Sequence, residues 1–232
     1  MRILVLGVGK TGKLVAEVAA ERGHSVHVLD AKENKDAAAL TAPFVAGFDT
    51  VIDFTTPEAV IANMRACLAN GAKMVVGTTG WYDRLPRAKE AAERKGASLI
   101  YGTNFSMGVQ IMLKLAENLT KELAGLNYTL SISETHHLTK LDAPSGTSLT
   151  LRDVVRRSCN MGDIPIKSIR HGEAVGMHVL EAESQSTGDR ILLTHESHSR
   201  RPFAEGAVRA AEWLVNAKPG VYDFREIFDQ LK

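Results

Sequence analysis

Apolar positions along this chain change their period twice. Up to Phe105, short runs of consecutive apolar residues alternate with helical patterns. Ile3 to Leu6 is apolar without a break, as expected for a strand of a parallel sheet covered on both faces. Ser25 to Leu29, Thr50 to Phe54, Lys73 to Val76 and Ser98 to Tyr101 read as four further strands. Between them lie amphipathic helices. One runs through Leu14, Val15, Val18 and Ala19 and ends at Gly23. One opens at Pro57, presents Val60, Ile61, Met64 and Cys67 on one face, and ends at Asn70-Gly71. A third covers Leu85 to Lys95. Ala31 to Phe48 is polar, then mixed, with little period. Strictly alternating strands and helices predict an α/β, Rossmann-type nucleotide-binding domain.

After Phe105 the alternation stops. Val109 to Ala124 is a longer amphipathic helix, and then strands dominate: Tyr128 to Thr135, Ile166 to Arg170, Val175 to Ala182 and Arg190 to His195. In the first of these, Tyr128, Leu130, Ile132 and Glu134 alternate with Thr129, Ser131, Ser133 and Thr135, so one face is buried. A helix between the first two strands carries Leu149, Val154 and Val155, with Asp153 to Cys159 expected as its exposed part. Thr187-Gly188-Asp189 reads as a hairpin turn. This region is expected to be an inserted α+β domain for substrate binding and oligomerisation, one sheet face being covered by another subunit. Helical spacing returns at Ala204 to Val215, breaks at Pro219-Gly220, and resumes with Phe224, Ile227, Phe228 and Leu231, read as core. The tail is expected to pack back on the first domain. The domains predicted are therefore 1–105 with 201–232, and 106–200.

Composition narrows the picture modestly. Of the 232 residues, 44% are hydrophobic and 24% charged, the balance of a soluble globular protein, and the formal net charge of +1 gives no bulk attraction to nucleic acid or to anionic membranes. No stretch reads as a signal peptide or a membrane span, so the expected location is the cytoplasm. Cys67 and Cys159 offer neither a disulfide framework nor a metal-ligand spacing, and no metal is expected.

The glycine loops add chemistry. Gly7-Val8-Gly9-Lys10-Thr11-Gly12 lies between a strand and a helix, with Asp30 about 20 residues on at the end of the next strand. Gly7 suits the tight turn, Gly9 lets a pyrophosphate approach the backbone, and Gly12 permits close helix packing. Asp30 suits a ribose hydroxyl and repels a 2′-phosphate, which favours NADH. Lys10 and Lys32 could offset that repulsion, leaving NADPH open. Two more strands end in loops at the same edge: Gly77-Thr78-Thr79-Gly80 and Gly102-Thr103-Asn104-Phe105. All three loops are expected to hold the nicotinamide cofactor.

The densest chemistry runs from Glu134 to Thr147: Glu134-Thr-His136-His137-Leu-Thr-Lys140-Leu-Asp142-Ala-Pro144-Ser145-Gly146-Thr147. Two imidazoles and an ammonium precede a helix start, where unpaired amides and a positive dipole end welcome an anion at Gly146 and Thr147. The expected ligand is a small acid carrying one or more carboxylates.

This segment resembles the signature of the dihydrodipicolinate reductase family, also called 4-hydroxy-tetrahydrodipicolinate reductases. Asp53-Phe-Thr55 with Pro57, Gly77 to Gly80, Asn104-Phe-Ser-Met-Gly-Val109 and Phe203-Ala-Glu-Gly-Ala-Val-Arg209 resemble family blocks in the same order, so the likeness spans essentially the whole chain. It implies reduction of a cyclic imine dicarboxylate with NADH or NADPH, on the diaminopimelate route to lysine. It implies that His136 is the proton donor, Lys140 the second catalytic residue, His137 a substrate contact, and Gly146 with Thr147 the carboxylate holder. It also implies a homotetramer joined through the second domain's sheet. The sequence departs from the family in a shorter first glycine loop with Lys10 where many members have arginine, in a short Asp30–Asp53 segment, and in Gln110. Two other readings of these residues differ in what they require. A different nicotinamide-dependent oxidoreductase of a small acid would include aldehyde enzymes that need a cysteine nucleophile, and neither cysteine lies near the loaded loop. A non-catalytic NADH sensor would not need His136, His137 and Lys140 together.

Overall fold

The structure, a computed structural model, describes residues 1–158 and 163–231. Its elements in chain order are β1 (Arg2–Leu6), α1 (Lys10–Glu21), β2 (Ser25–Leu29), α2 (Ala42–Val45), β3 (Thr50–Asp53), α3 (Pro57–Ala69), β4 (Lys73–Val76), α4 (Leu85–Lys95), β5 (Ser98–Tyr101), α5 (Met107–Glu122), β6 (Tyr128–His136), α6 (Gly146–Ser158), β7 (Ile166–Arg170), β8 (Gly176–Ser184), β9 (Arg190–Ser197), α7 (Arg201–Asn216), β10 (Gly220–Asp223) and α8 (Phe224–Ile227). The chain divides into two compact units, Met1–Ser106 with the chain from Arg200 onward, and Met107–Ser199.

The first unit is built on a parallel sheet of strand order β10-β5-β4-β3-β1-β2. Order reverses beside β1, so the loops leaving β1 and β3 diverge and open a crevice at the carboxyl edge. Ile3, Leu4, Val5, Val51, Ile52, Met74, Val75, Val76, Leu99 and Ile100 are at most 1% exposed. Burying each such side chain contributes roughly 1.5–3 kcal/mol, which is why apolar runs unbroken by polar residues persist here as strands. α7 lies against β3, β4 and α1 through Ala204, Ala207, Val208, Ala211 and Leu214, all fully buried. Across its outer edge, Glu212 accepts both Nε and Nη2 of Arg22 at 2.8 and 2.7 Å.

Two elements of this unit differ from the sequence reading. Ala31 to Phe48, which shows little period, contains the short helix α2 opened by Pro43, with Val45 buried. The sixth strand, β10, was not foreseen. It pairs parallel with β5 from Gly220↔Ser98 to Asp223↔Tyr101. The Pro219-Gly220 break does not end regular structure; it turns the chain onto the open sheet edge. Phe224, Ile227, Phe228 and Leu231 are buried in the first unit as expected.

The second unit carries a mixed sheet, β7-β6-β8-β9, with β6–β7 parallel and the other pairs antiparallel. Helices α5 and α6 cover one face, enclosing Val109, Met112, Leu113, Ala116, Leu130, Ile132, Leu151, Leu180 and Ala182. The expectation that Asp153 to Cys159 is the exposed part of α6 is corrected. Val154 and Val155 are 2% and 0% exposed and belong to this core, because their helical phase matches Leu151. Cys159 lies outside the described residues. Among the described residues no helix is long and apolar enough to cross a membrane.

Candidate active site

Each unit brings one group of the expected site residues together. In the first, a cleft of about 310 Å³ at the carboxyl edge is lined by Gly9, Lys10, Thr11, Phe54, Thr55, Pro57, Gly77, Thr78 and Thr79. Gly7 takes φ +103°, and a Cβ there would lie 2.4 Å from the Phe54 carbonyl oxygen. A Cβ at Gly12 would lie 2.1 Å from the carbonyl oxygen of Gly7. These two glycines therefore let α1 start directly behind the turn. Gly9 has open space where its side chain would be, and no side chain caps α1. The cradle fits a pyrophosphate: bare backbone, a helix N-terminus and room.

The remaining residues expected to hold the cofactor sit around that cleft rather than in its lining. Val8 is 44% exposed beside it. Asp30 ends β2, and its Oδ1 accepts the Lys32 and Glu33 amides at 2.7 and 2.8 Å. Those amides, that of Glu33 first, hold its carboxyl below the usual range. Gly102, Thr103, Asn104 and Phe105 leave β5 at the same edge; Asn104 Oδ1 accepts the Ser106 amide at 2.8 Å, and the Phe105 ring packs 6.3 Å from that of Phe54. Phe54, Thr55 and Pro57 were not foreseen as lining residues. Behind them Asp53, fully buried, accepts from Thr55 Oγ1 at 2.7 Å, Thr78 Oγ1 at 2.8 Å and Asn63 Nδ2 at 2.8 Å. It thereby ties the β3 loop to the β4 loop. Cys67 is a buried core residue, its thiol pushed up to about 12 by burial and by the Asp53 charge.

In the second unit, alternation along β6 puts Glu134 and His136 on the buried face and leaves His137 half-buried. Glu134 is fully buried and sits opposite Ser168 on β7 and His178 on β8. Its two oxygens accept the Ser145 amide at 3.1 and 3.0 Å, Ser148 Oγ at 2.6 Å and Ser168 Oγ at 2.8 Å, and Arg170 Nη1 lies 3.5 Å away. Burial alone would raise this carboxyl. The donors from Ser145, Ser148 and Ser168 outweigh it and hold the group at about 2. Pro144, after a cis peptide, and Ser145 then deliver the chain to Gly146, where α6 begins. Gly146 is half-buried and Thr147 7% exposed.

Lys140 lies on the loop so closed. Its Nζ donates to Asp142 Oδ1 at 2.6 Å, and its carbonyl accepts Arg170 Nε at 3.2 Å. His137 Nδ1 meets Thr139 Oγ1 at 2.8 Å. His136 is 6% exposed; its ring stands edge-on to His178 with centroids 5.0 Å apart. Burial first, then Lys140 and Arg170, push His136 down to about 4 against the opposing pull of Glu134. At pH 7 His136 is therefore neutral in the ligand-free protein. His178 is lowered to about 3 by burial and by His136. Glu134, His136 and His178 bring three potential metal-binding atoms within 4.8 Å. The Glu134 oxygens already accept from serine donors, and the two imidazoles meet edge to edge.

Glu134 was read only as part of a motif, and Ser148, Ser168, Arg170 and His178 were not foreseen. The available signal was a carboxylate at an inward-facing position of β6, which burial makes untenable without donors from neighbouring elements.

Comparison with known proteins agrees along the full chain. Residues 1–105 match the family model for dihydrodipicolinate reductase, N-terminus, and residues 108–228 the model for its C-terminus. A relative from Christiangramia forsetii named 4-hydroxy-tetrahydrodipicolinate reductase is 34% identical, covering 100% of this chain and 99% of its own. One of the same name from Magnetococcus marinus is 37% identical over 77% of this chain and 72% of its own. The solved dipicolinate-bound dihydrodipicolinate reductase of Paenisporosarcina sp. TG-14 shares the fold, with a TM-score of 0.73 at 22% identity over 98% of this chain and 99% of that one. With both halves matched in order and the Christiangramia forsetii relative aligned end to end, the chain belongs to the dihydrodipicolinate reductase family.

Proposed function

We propose that this protein uses NADH or NADPH to reduce 4-hydroxy-tetrahydrodipicolinate to tetrahydrodipicolinate, a step of the diaminopimelate route to lysine. The carrying observation is the Glu134-anchored loop, which gathers His136, Lys140 and a helix N-terminus within one short segment. The reduced nicotinamide, when bound, supplies the hydride. The chain's own residues do the rest. Gly7 to Gly12 receive the pyrophosphate, Asp30 the adenosine ribose, and Gly77, Thr78, Thr79 and Gly102 to Phe105 line the nicotinamide side. Gly146 and Thr147 hold one substrate carboxylate at the start of α6, and Lys140 neutralises charge nearby. His137 contacts the substrate, its ring orientation set by Thr139.

His136 supplies the proton that follows hydride arrival. Its low basicity in the ligand-free site supports a coupled sequence. A dicarboxylate entering beside it adds negative charge, which raises the imidazole toward neutrality and lets it take a proton from solvent. The proton is then available only when substrate is present.

Asp30 supports a preference for NADH, since an ionised carboxylate at the ribose disfavours a 2′-phosphate. The open face of the β7-β6-β8-β9 sheet supports homotetramer assembly. Met177, Val179 and Leu192 lie on the side that α5 and α6 do not cover. Sedimentation velocity is expected to give four copies per particle, and a monomer would refute that assembly. A biosynthetic activity drawing on a soluble nicotinamide pool fits the cytoplasm. The deciding experiment supplies the product of 4-hydroxy-tetrahydrodipicolinate synthase and follows NADH and NADPH oxidation separately. Oxidation of both, with higher kcat/KM for NADH, is expected; oxidation of neither would overturn the assignment.

A further inference from the structure

We propose that Glu134 is a positioning residue of the reaction: a buried carboxylate that pins the substrate turn and serves as the counter-charge of His136 whenever that imidazole carries a proton. The inference rests on the reductase reading given above and adds a residue to it.

The geometry is specific. Glu134 and His136 stand two residues apart on the buried face of β6. His136 Nδ1 is buried, has no hydrogen-bond partner, and lies 3.9 Å from Glu134 Oε2. That is too long for a hydrogen bond, and a shift of about 1 Å would make one. The opposite ring edge faces Gly176. Where a side chain at Gly176 would stand, its Cβ would be 3.2 Å from His136 Nε2, and glycine leaves that space vacant. The imidazole thus has one nitrogen turned to a carboxylate and the other turned to Gly176.

The charges around His136 show why Glu134 matters. Lys140 on the loop, Arg170 on β7 and His178 on β8 are cationic or basic, while Asp142 on the loop and Glu134 are acidic; His195 on β9 adds to the basic side facing His178. Asp142 is half committed to Lys140 at 2.6 Å. Arg170 gives its Nε to the Lys140 carbonyl, and its Nη1 stays 3.5 Å from Glu134. Glu134 is therefore the one fully buried anion beside His136 among the described residues. Without its charge, a proton on His136 would face Lys140 and Arg170 with only Asp142, already paired to Lys140, to offset them. With it, the imidazolium gives one proton to the substrate, returns to the neutral form with Nδ1–H toward Glu134, and is reprotonated from water. The same carboxylate holds the Ser145 amide and Ser148 Oγ. The acid and the anion-binding turn are thereby built on one anchor.

The test is the pH dependence of kcat for wild type, Glu134→Gln and Ser168→Ala. In wild type, kcat is expected to fall on the alkaline side with one ionisation. Glu134→Gln keeps the shape and loses the charge, so that limb should move at least one pH unit lower, a tenfold or greater loss at pH values above the wild-type limb. Ser168→Ala removes one donor and keeps the charge, so its limb should not move lower. A purely structural role would lower yield or raise KM in both variants and leave both limbs in place; that outcome overturns the proposal. A measurement on the unmodified protein guards against a variant that does not fold. Ring 15N spectra should show neutral His136 protonated on Nδ1, and a proton on Nε2 would contradict the proposal. The two failures are distinguishable: an inactive wild type refutes the reaction, whereas an active wild type with unmoved limbs, or with the Nε2–H tautomer, refutes only the role of Glu134.

Discussion

Asp53 and Glu134 are both fully buried carboxylates near the carboxyl end of a strand, and their carboxyls are shifted in opposite directions. Asp53, at the end of β3, accepts only from Thr55, Thr78 and Asn63, and no ion pair reaches it among the described residues. Burial outweighs those neutral donors and pushes its carboxyl up. Glu134 accepts from Ser145, Ser148 and Ser168, has Arg170 within 3.5 Å, and is held at about 2. Hydrogen-bonded burial alone does not decide ionisation. The balance between burial and the donors does. Asp53 works as a polar tie that shapes the cleft in the first unit. Glu134 is held as a charge in the second.

The contrast can be broken at several points. The largest effect is expected from Glu134→Leu. It strands the Ser145 amide, two hydroxyls and Arg170 in a buried site, at a cost of about 3–5 kcal/mol. Asp53→Asn keeps a polar group of the same shape and should cost only about 1–2 kcal/mol. Denaturant unfolding of both variants measures the difference, and equal losses would mean that the two carboxylates are equivalent.

Next in size is catalysis. His136→Gln and Lys140→Ala should each lower kcat by roughly 10²–10⁴-fold. Steady-state assays of purified, folded variants give the value directly, and a loss below tenfold would remove that residue from the chemistry.

Acid should act next, and on the second unit. His136 and His178 stay neutral when folded and protonate when unfolded, at about 6.5. Their folded values are about 4 and about 3, so the unfolded chain binds more protons across that window. Stability therefore falls as pH drops from 6.5 toward 4, by on the order of 2 kcal/mol per imidazole at pH 5. Glu134 adds to this only below 4.5, as pH falls toward about 2. Asp53, being raised, has the opposite sign: its contribution weakens as pH rises through its folded value. Hydrogen exchange at pH 7 and pH 5 should show earlier opening in β6 and β8 than in β3 and β4. Equal opening would remove the difference between the two units.

The smallest effect is steric. Gly176→Ala puts a methyl group 3.2 Å from His136 Nε2, which should lower kcat a few-fold, about 1 kcal/mol, with melting temperature unchanged. An unaffected kcat would mean that this ring edge faces nothing of importance.

How much of this was legible in the sequence follows from the same two carboxylates. The strands carrying Ile3 to Leu6 and Lys73 to Val76 were readable because parallel strands buried on both faces need unbroken apolar runs. The glycine loops and the Glu134–Thr147 segment were readable because their chemistry is contiguous. Asp53's link to Asn63 and Thr78, and Glu134's links to Ser148, Ser168 and His178, were not. These partners come from separate elements and meet only through sheet register: Glu134 opposes Ser168 on one side and His178 on the other. β10 escaped because Gly220–Asp223 is short, half-buried and preceded by a proline-glycine break. Val154 and Val155 were misjudged because the charged residues around them hide a narrow apolar stripe.

The central claim is that one unit holds the cofactor and the other performs the acid chemistry. The NADH dissociation constant, measured by fluorescence titration in Gly9→Val and in His136→Gln, tests it most directly. Gly9→Val fits its surroundings, because nothing lies within 4 Å of its Cβ, yet it fills the cradle at the start of α1. It should weaken NADH binding at least a hundredfold, while His136→Gln binds NADH like wild type and turns over poorly. NADH binding that survives Gly9→Val, or that is lost in His136→Gln, would contradict the account.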